Sequence, residues 1–499
     1  MSLPVNLSAA RTLRDATDAY ESDVVTMLRQ ANSNDVEVAG DRIPAGKTDA
    51  QPSACWAPRS LKDTIASFQI ETLLNEVKEM ERLEHKHDAR PAIPLPLREL
   101  YWTLTRWTGL SRRQDRLTRE ALSRRPTRAA RPDTRGTRRI LIDLTYTHVH
   151  QHRSGIQRVV RSLVKACSEH SHVVPVIVLQ QTIYPYFVEP GAPDTITPSK
   201  DDTFVFLDFV GPDIINWVAD QARRERFRIV SVVYDLIPLK YPGLCAPGMS
   251  QFFVDWLDTV LTVSDRVLTI SQAVNKDLAA YVDARTDSPA RRPDTTWFHL
   301  GCELDHAFAE DRSPIETIGA PGSYFLSVGT LEPRKGHATA LDAFGRYWAR
   351  GGRSKYVIAG SPGWSTRALI RRIEQHPEYG NRLIWVRGAG DAAIETLYRD
   401  AKALIMPSID EGFGLPLIEA GRHGTPLIVS DIPPFREICG DSATYFPVLD
   451  HAALSDVLTA TDAGALKAPS FPTLSWSEAA QHFLDLVQRT DARAGQWMG

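Results

Sequence analysis

Two rhythms of apolar and polar positions run along this chain from residue 140 onward. Short unbroken runs of Val, Ile, Leu and Phe alternate with longer stretches in which apolar residues recur every three or four positions. The first rhythm predicts buried strands and the second amphipathic helices. Strands are expected at 140–145, 173–179, 204–209, 229–234 and 267–270, with helices at 213–226, 249–263 and 272–281. A further helix, capped by Ser154, carries Ile156, Val159, Val160, Leu163, Val164 and Cys167 on one face. A second series places strands at 324–328, 355–359, 382–386, 403–406, 426–429 and 443–446, and a last helix follows from 475 to 488. Such alternation predicts an α/β protein with two Rossmann-like domains, each a parallel sheet covered on both faces. Ligands then bind in the cleft at the carboxyl ends of the strands.

The first 135 residues follow a different pattern. A helix is expected over 7–30 and a polar loop over 32–58. From Leu61 the positions Ile65, Phe68, Ile70, Leu73, Leu74, Val77, Met80 and Leu83 predict one long amphipathic helix ending near His87. That helix, 61–87, is suited to pair with another helix or with a second copy of the chain. The expected organisation is a helical, partly disordered extension with a basic amphipathic segment over 1–135, a first domain over 136–318, a second over 319–472 and a closing helix over 473–499.

Composition narrows the function classes. A net charge of −3 over 499 residues argues against a dedicated nucleic-acid binder. Cys55, Cys167, Cys245, Cys302 and Cys439 are scattered without C-x-x-C spacing, which fits a reducing compartment better than a disulfide framework or zinc site. No signal-peptide core and no run of 18 apolar residues stands in the sequence, so a cytoplasmic protein is expected. One window departs from this balance. Residues 106–139 hold twelve Arg against Asp115, Glu120 and Asp133, beside Leu95, Leu97, Leu100, Tyr101, Trp102, Leu104 and Trp107. The stretch 94–139 reads either as a peripheral contact with an anionic membrane surface or as a solvated basic linker.

The chemistry concentrates in two strings. Asp410-Glu411-Gly412-Phe413-Gly414-Leu415-Pro416 follows a strand and opens a helix, with Pro416 near the first helical position. Free N–H groups at such a turn make an anion and hydroxyl site. Glu411 stands before the helix and Glu419 within it, although acids near a helix start also serve the dipole alone. In the second string a strand ends at Gly329-Thr330, and a loop presents Arg334 and Lys335 before a helix. This pair, expected to be exposed, can neutralise a pyrophosphate, Arg by its fork and Lys as a point charge. A surface pair in a solvated loop is the plain alternative.

Together with Pro426-Leu427-Ile428-Val429 and Asp431, the first string resembles the nucleotide-sugar site of retaining GT-B glycosyltransferases, specifically glycosyltransferase family 4. The resemblance spans about residues 138–490. It implies the GT-B fold, with two Rossmann-like domains facing a cleft and the final helix crossing back to the first. It implies Glu411 at the donor sugar, the backbone of Gly412, Phe413, Gly414 and Leu415 on sugar and phosphate, and Glu419 on the ribose hydroxyls. Gly329-Thr330-Leu331-Glu332-Pro333-Arg334-Lys335-Gly336 is similar to the family's diphosphate loop. Ser154-Gly155-Ile156-Gln157-Arg158 is similar to its first-domain glycine loop, with Gly155 near the diphosphate. Arg387 precedes Gly388-Ala389-Gly390-Asp391, which resembles the loop near the base. Relatives carry a His-Asp pair where this chain has Tyr234-Asp235; Asp235 remains a candidate to orient the acceptor or the sugar, or simply caps the next turn. His148, His150 and His152, with Arg153, read as a loop lining the acceptor entrance rather than a metal site.

The resemblance implies a nucleotide diphosphate sugar as donor substrate, no further cofactor and no metal, since no D-x-D triplet stands in the sequence. Ser154 to Arg161 and Val232 to Pro238 look like bacterial polysaccharide and O-antigen mannosyl- or rhamnosyltransferases. GDP-mannose is the first expectation for the donor, a dTDP- or UDP-sugar the second, and a glycan or lipid-linked glycan the acceptor. The rivals are an epimerase or phosphorylase on the same scaffold and a catalytically silent scaffold protein.

Overall fold

The computed structural model describes residues 111–129, 138–151, 155–246, 248–284, 292–304, 318–464, 466 and 468–489. The helices expected over 7–30 and 61–87, the cap Ser154, His152 and Arg153 lie outside the described residues.

Helix α1 (Ser111–Ser123) precedes the first sheet. The first domain follows as β1 (Ile140–Asp143), α2 (Thr145–His150), α3 (Gly155–Cys167), β2 (Val173–Leu179), β3 (Thr182–Pro185), β4 (Thr203–Phe206), α4 (Pro212–Glu225), β5 (Arg228–Val233), α5 (Ile237–Lys240), α6 (Met249–Val263), β6 (Arg266–Thr269), α7 (Gln272–Ala284) and β7 (Asp294–Trp297). Its strand order is β3-β2-β1-β4-β5-β6-β7. All pairs are parallel except β2 with β3. Strands β1 and β4 are buried at every position, which is why they read as unbroken apolar runs.

The second domain runs through β8 (Tyr324–Val328), α8 (His337–Ala349), β9 (Lys355–Ala359), α9 (Arg367–Glu374), β10 (Leu383–Val386), α10 (Asp391–Asp400), β11 (Ala403–Met406), α11 (Leu415–Arg422), β12 (Leu427–Ser430), α12 (Pro433–Cys439), β13 (Thr444–Phe446) and α13 (His451–Ala463). Its order is β10-β9-β8-β11-β12-β13, all parallel. The closing helix α14 (Trp476–Gln488) carries a capping box between Ser475 and Glu478. It returns to the first domain, where Phe483 packs on Phe298 and the Trp476 N–H donates to Glu303 at 2.7 Å.

Three elements differ from the sequence expectation. The β2–β3 hairpin turns on Gln180 and Gln181, both at positive φ (47° and 57°). Such turns are announced by Asn-Gly or Asp-Gly, and a Gln pair carries no such sign. Strand β7, Asp-Thr-Thr-Trp, lies at a sheet edge and needs no apolar run. The histidine loop before Gly155 begins as helix α2. Asp143 accepts from the Thr145 N–H (3.3 Å) and hydroxyl, and Asp208 accepts from the Thr147 N–H, so carboxylates from two strand ends hold its first turn. His148 is consequently buried, with Nε2 2.8 Å from the Ala121 carbonyl.

Part of the basic run is engaged by the first domain rather than held in solvent. Arg125 donates to the Pro185 carbonyl at 3.1 Å, Arg128 to that of Ser168 at 3.1 Å, and Arg139 pairs with Asp202 at 2.6 Å. Arg119 and Arg138 are exposed, and Arg124 lies 3.8 Å from Glu120. Among the described residues no helix is long and apolar enough to cross a membrane.

Candidate active site

Each sheet has one place where successive connections leave in opposite directions, and ligands collect at such switch points. In the second domain it lies between β8 and β11. The loop after β8 carries Gly329, Thr330, Glu332, Arg334 and Lys335, and the loop after β11 carries Ser408 to Gly414. The two strings singled out in the sequence, some 75 residues apart, therefore meet because their strands are neighbours.

They meet through charge. Arg334 Nη1 donates to Glu411 Oε2 at 2.9 Å, Lys335 Nζ to Oε1 at 2.6 Å, and the Ser408 hydroxyl to Oε1 at 2.8 Å. Arg334 Nε pairs with Glu332 at 2.9 Å. The expected exposure of the Arg-Lys pair is not found. The Arg334 and Lys335 side chains are 18% and 14% exposed and Glu411 is 7% exposed, because the loops close on one another across the ion pairs. Burial alone would raise the Glu411 carboxyl; Lys335 and Arg334 override it and hold the group down to about 2. Burial and the neighbouring Arg334 lower the Lys335 ammonium against the pull of Glu411. Burial raises Asp235 and Glu332. Asp235 feels Arg334, Lys335 and Glu411, yet its Oδ1 accepts from the Ile237 N–H at 3.0 Å, so it caps its own turn beside the cluster. Tyr234 faces the core and donates to the Leu207 carbonyl at 2.8 Å, far from an acid–base position.

The glycine turn adds dipoles to these charges. Gly414 has φ +104°, a left-handed value that re-aims the chain into α11. Among the described residues the N–H groups of Gly412, Phe413 and Gly414 meet no acceptor, directly before a helix start. Phe413 is buried, and Leu415 is half-buried at the first position of α11.

Glu419 makes a second buried station. Its Oε2 accepts from Tyr398 at 2.7 Å, and its Oε1 pairs with Arg158 Nη1 of the first domain at 2.8 Å. Asp391, at the start of α10, also acts on Arg158. Gly155 begins α3, one turn ahead of Arg158, and is exposed with open space around it. Arg387 is not brought to either station. It stacks over Trp385, 3.6 Å from the ring centroid, and pairs with Glu374 at the surface.

Four residues complete this arrangement without having been singled out: Glu332, Ser408, Tyr398 and Arg158. Glu332 and Arg158 stand inside quoted motifs, so proximity in sequence was the available signal. Ser408 and Tyr398 carried none, since their roles follow from strand and helix neighbours. Among the described residues no group of three His, Cys, Asp or Glu could hold a metal ion.

Residues 310–460 match the family Glycosyl transferases group 1, and the chain thus carries a group 1 glycosyltransferase domain that includes Arg334, Lys335, Glu411 and Glu419 but not Arg158. Its curated relatives include several bacterial mannosyltransferases. The serotype-specific mannosyltransferase WbdA of Escherichia coli is 32% identical over 377 residues, 70% of this chain and 46% of that protein. The O-antigen chain mannosyltransferase B of Escherichia coli is 28% identical over 46% of this chain and 59% of its own length. The chain spans about half the length of the WbdA proteins it matches. A solved structure of Anabaena Alr3699/HepE in complex with UDP and glucose aligns with 70% of this chain and 95% of its own, at 12% identity and a TM-score of 0.47.

Proposed function

We propose that this chain is a retaining, metal-independent hexosyltransferase that moves mannose from GDP-mannose to a growing, lipid-linked cell-surface glycan. The observation that carries this reading is the buried Glu411–Arg334–Lys335 cluster beside three N–H groups that meet no acceptor among the described residues, in a chain that aligns with mannosyltransferases along 70% of its length. A diphosphate arriving on Arg334 and Lys335 takes over the negative charge that Glu411 now supplies. The Glu411 carboxylate is then free to accept from a sugar hydroxyl, while the N–H groups of 412–414 face sugar and phosphate. Glu419 takes the ribose hydroxyls. The bond from the anomeric carbon to the diphosphate breaks, and the acceptor oxygen bonds to the same face. The acceptor proton passes to the leaving phosphate oxygen, so no enzyme nucleophile is needed. Fixed cations do the neutralising work that a metal ion does elsewhere.

In this reading residues 136–318 hold the acceptor, 319–472 the donor, and 473–499 bind the two together. The enzyme works in the cytoplasm, with 94–139 meeting the anionic membrane surface through the arginines that the first domain leaves exposed. The 61–87 helix pairs copies of the chain. Incubation with GDP-mannose, UDP- and dTDP-sugars in EDTA, followed by product NMR, tests the core of the proposal. An α-linked product and released GDP are expected. Transfer abolished by EDTA and restored by Mn²⁺, or an inverted anomer, overturns the mechanism.

A further inference from the structure

The first domain reaches the second at several points. Lys240 pairs with Asp410 at 2.6 Å, Arg158 with Glu419 at 2.8 Å, and Trp364 Nε1 donates to the Leu244 carbonyl at 2.9 Å. One more tie acts on the backbone of the donor loop, the one after β11. Ser271, fully buried between β6 and α7, donates its hydroxyl to the Gly412 carbonyl at 2.7 Å.

We propose that Ser271 is a positioning residue for the donor loop: by holding the Gly412 carbonyl it sets the direction of the Phe413 N–H. This deepens, and rests on, the glycosyltransferase reading above. A peptide unit is planar, so fixing a carbonyl also fixes the N–H on its opposite side. The Ser271 proton is committed, because the Gly412 carbonyl can only accept, and a lone pair of the same oxygen accepts from the Val274 N–H at 3.1 Å and caps α7. Gly412 is also bounded on a second flank. A Cβ there would stand 2.1 Å from the Tyr234 carbonyl, so the loop has little room to turn away.

Ser271 is itself held in place from the second domain. Glu437 accepts from the Gln272 and Ala273 N–H groups at 2.7 Å each, and from His299 Nε2 at 2.7 Å. The His299 ring packs on Phe413, with centroids 5.5 Å apart. Burial opposes the charge on Glu437, but the His299 bond and the two N–H groups lower its carboxyl and keep it ionised. The first turn of α7 is therefore clamped, and its cap hydroxyl is aimed at the donor loop. The Phe413 N–H takes its direction only when the domain that brings the acceptor is docked.

The test compares Ser271→Ala, Ser271→Thr and Glu437→Gln with wild type, all assayed well below their melting temperatures. Ser271→Ala is expected to lower kcat about tenfold while donor KM stays within twofold, and Ser271→Thr to restore most of the loss. Glu437→Gln loosens the turn that carries Ser271 but leaves its hydroxyl in place, so it should lower Tm and lower kcat by clearly less than Ser271→Ala. Amide exchange at 412–414 should quicken most in Ser271→Ala and less in Glu437→Gln. Wild-type kcat in folded Ser271→Ala, or equal kcat losses in Ser271→Ala and Glu437→Gln, overturns the proposal. If wild type transfers no sugar, the functional reading fails separately. The exchange measurement still decides whether Ser271 sets the loop, because unchanged exchange in Ser271→Ala refutes it.

Discussion

The two switch points of this molecule share a topology and differ in chemistry. In the first domain, Asp143 ends β1 and Asp208 follows β4, on neighbouring strands at the carboxyl edge of the sheet. In the second, Glu332 and Glu411 follow β8 and β11 in the corresponding places. The first pair is braced by the Thr145 hydroxyl and the N–H groups of Thr145, Thr147 and Phe209, and burial pushes Asp143 well above the usual carboxylate range. The second pair is braced by Arg334 and Lys335, which hold Glu411 far below that range. Acids held by neutral donors start a helix and stay where they are. Acids held by fixed cations can exchange those cations with an incoming anion. In the proposed function, what faces the carboxylates makes the binding site, since both sheets supply the carboxylates.

The contrast is broken most sharply at Lys335. Lys335→Met leaves Glu411 buried with half its countercharge, and should destabilise the fold by about 3–5 kcal/mol. It should also slow transfer about 100-fold through lost stabilisation of the leaving diphosphate. Adding Glu411→Gln should return most of the stability, read by denaturant unfolding, and none of the rate. If the single variant melts like wild type, the ion pairs do not support the loops.

Next comes the glycine that lets the loop pass under the first domain. Gly412→Ala places a methyl against the Tyr234 carbonyl, and strain of about 1–3 kcal/mol is expected in stability. Transfer should fall with it, and a crystal structure or unfolding curve unchanged from wild type would contradict the close approach.

A smaller effect separates the two domains by pH. His337, buried behind Lys335, is held down to about 4 from an ordinary 6.5, first by burial and then by that ammonium. The unfolded chain therefore binds the extra proton first. Its share of stability is complete above about pH 6.5 and is lost as pH falls through about 4. Glu411 adds a second loss as pH falls from about 4.5 through about 2, since its folded value is the lower one. Melting temperature against pH should show both steps.

The smallest change is expected at the first switch point. Asp143→Asn imitates the neutral acid that burial already favours, and should alter stability by less than about 1 kcal/mol and leave donor affinity untouched. A large loss of donor affinity would mean that the two switch points are not chemically distinct.

What the sequence determined by itself is whatever depends on short-range pattern. Buried parallel strands must be apolar on both faces, so 173–179, 324–328, 355–359 and 403–406 were legible with their ends correct. The helix expected over 475–488 and the helix that opens at Leu415 were likewise legible, while the Ser475–Glu478 cap was seen only in the structure. Glu411, Arg334 and Lys335 were singled out in the string as a carboxylate before Gly-x-Gly and two cations before a glycine. Only the tertiary structure decided that these three are one buried cluster, since that needs β8 and β11 side by side. It alone turned Arg387 outward to Glu374 and Tyr234 inward to Leu207. It also supplied Arg158, Tyr398 and Ser271, whose partners stand from 21 to 261 positions away. A charge or hydroxyl looks the same in a string whether it faces water or a buried carboxylate. Desolvation and a partner's reach separate the two cases, and both belong to the folded chain.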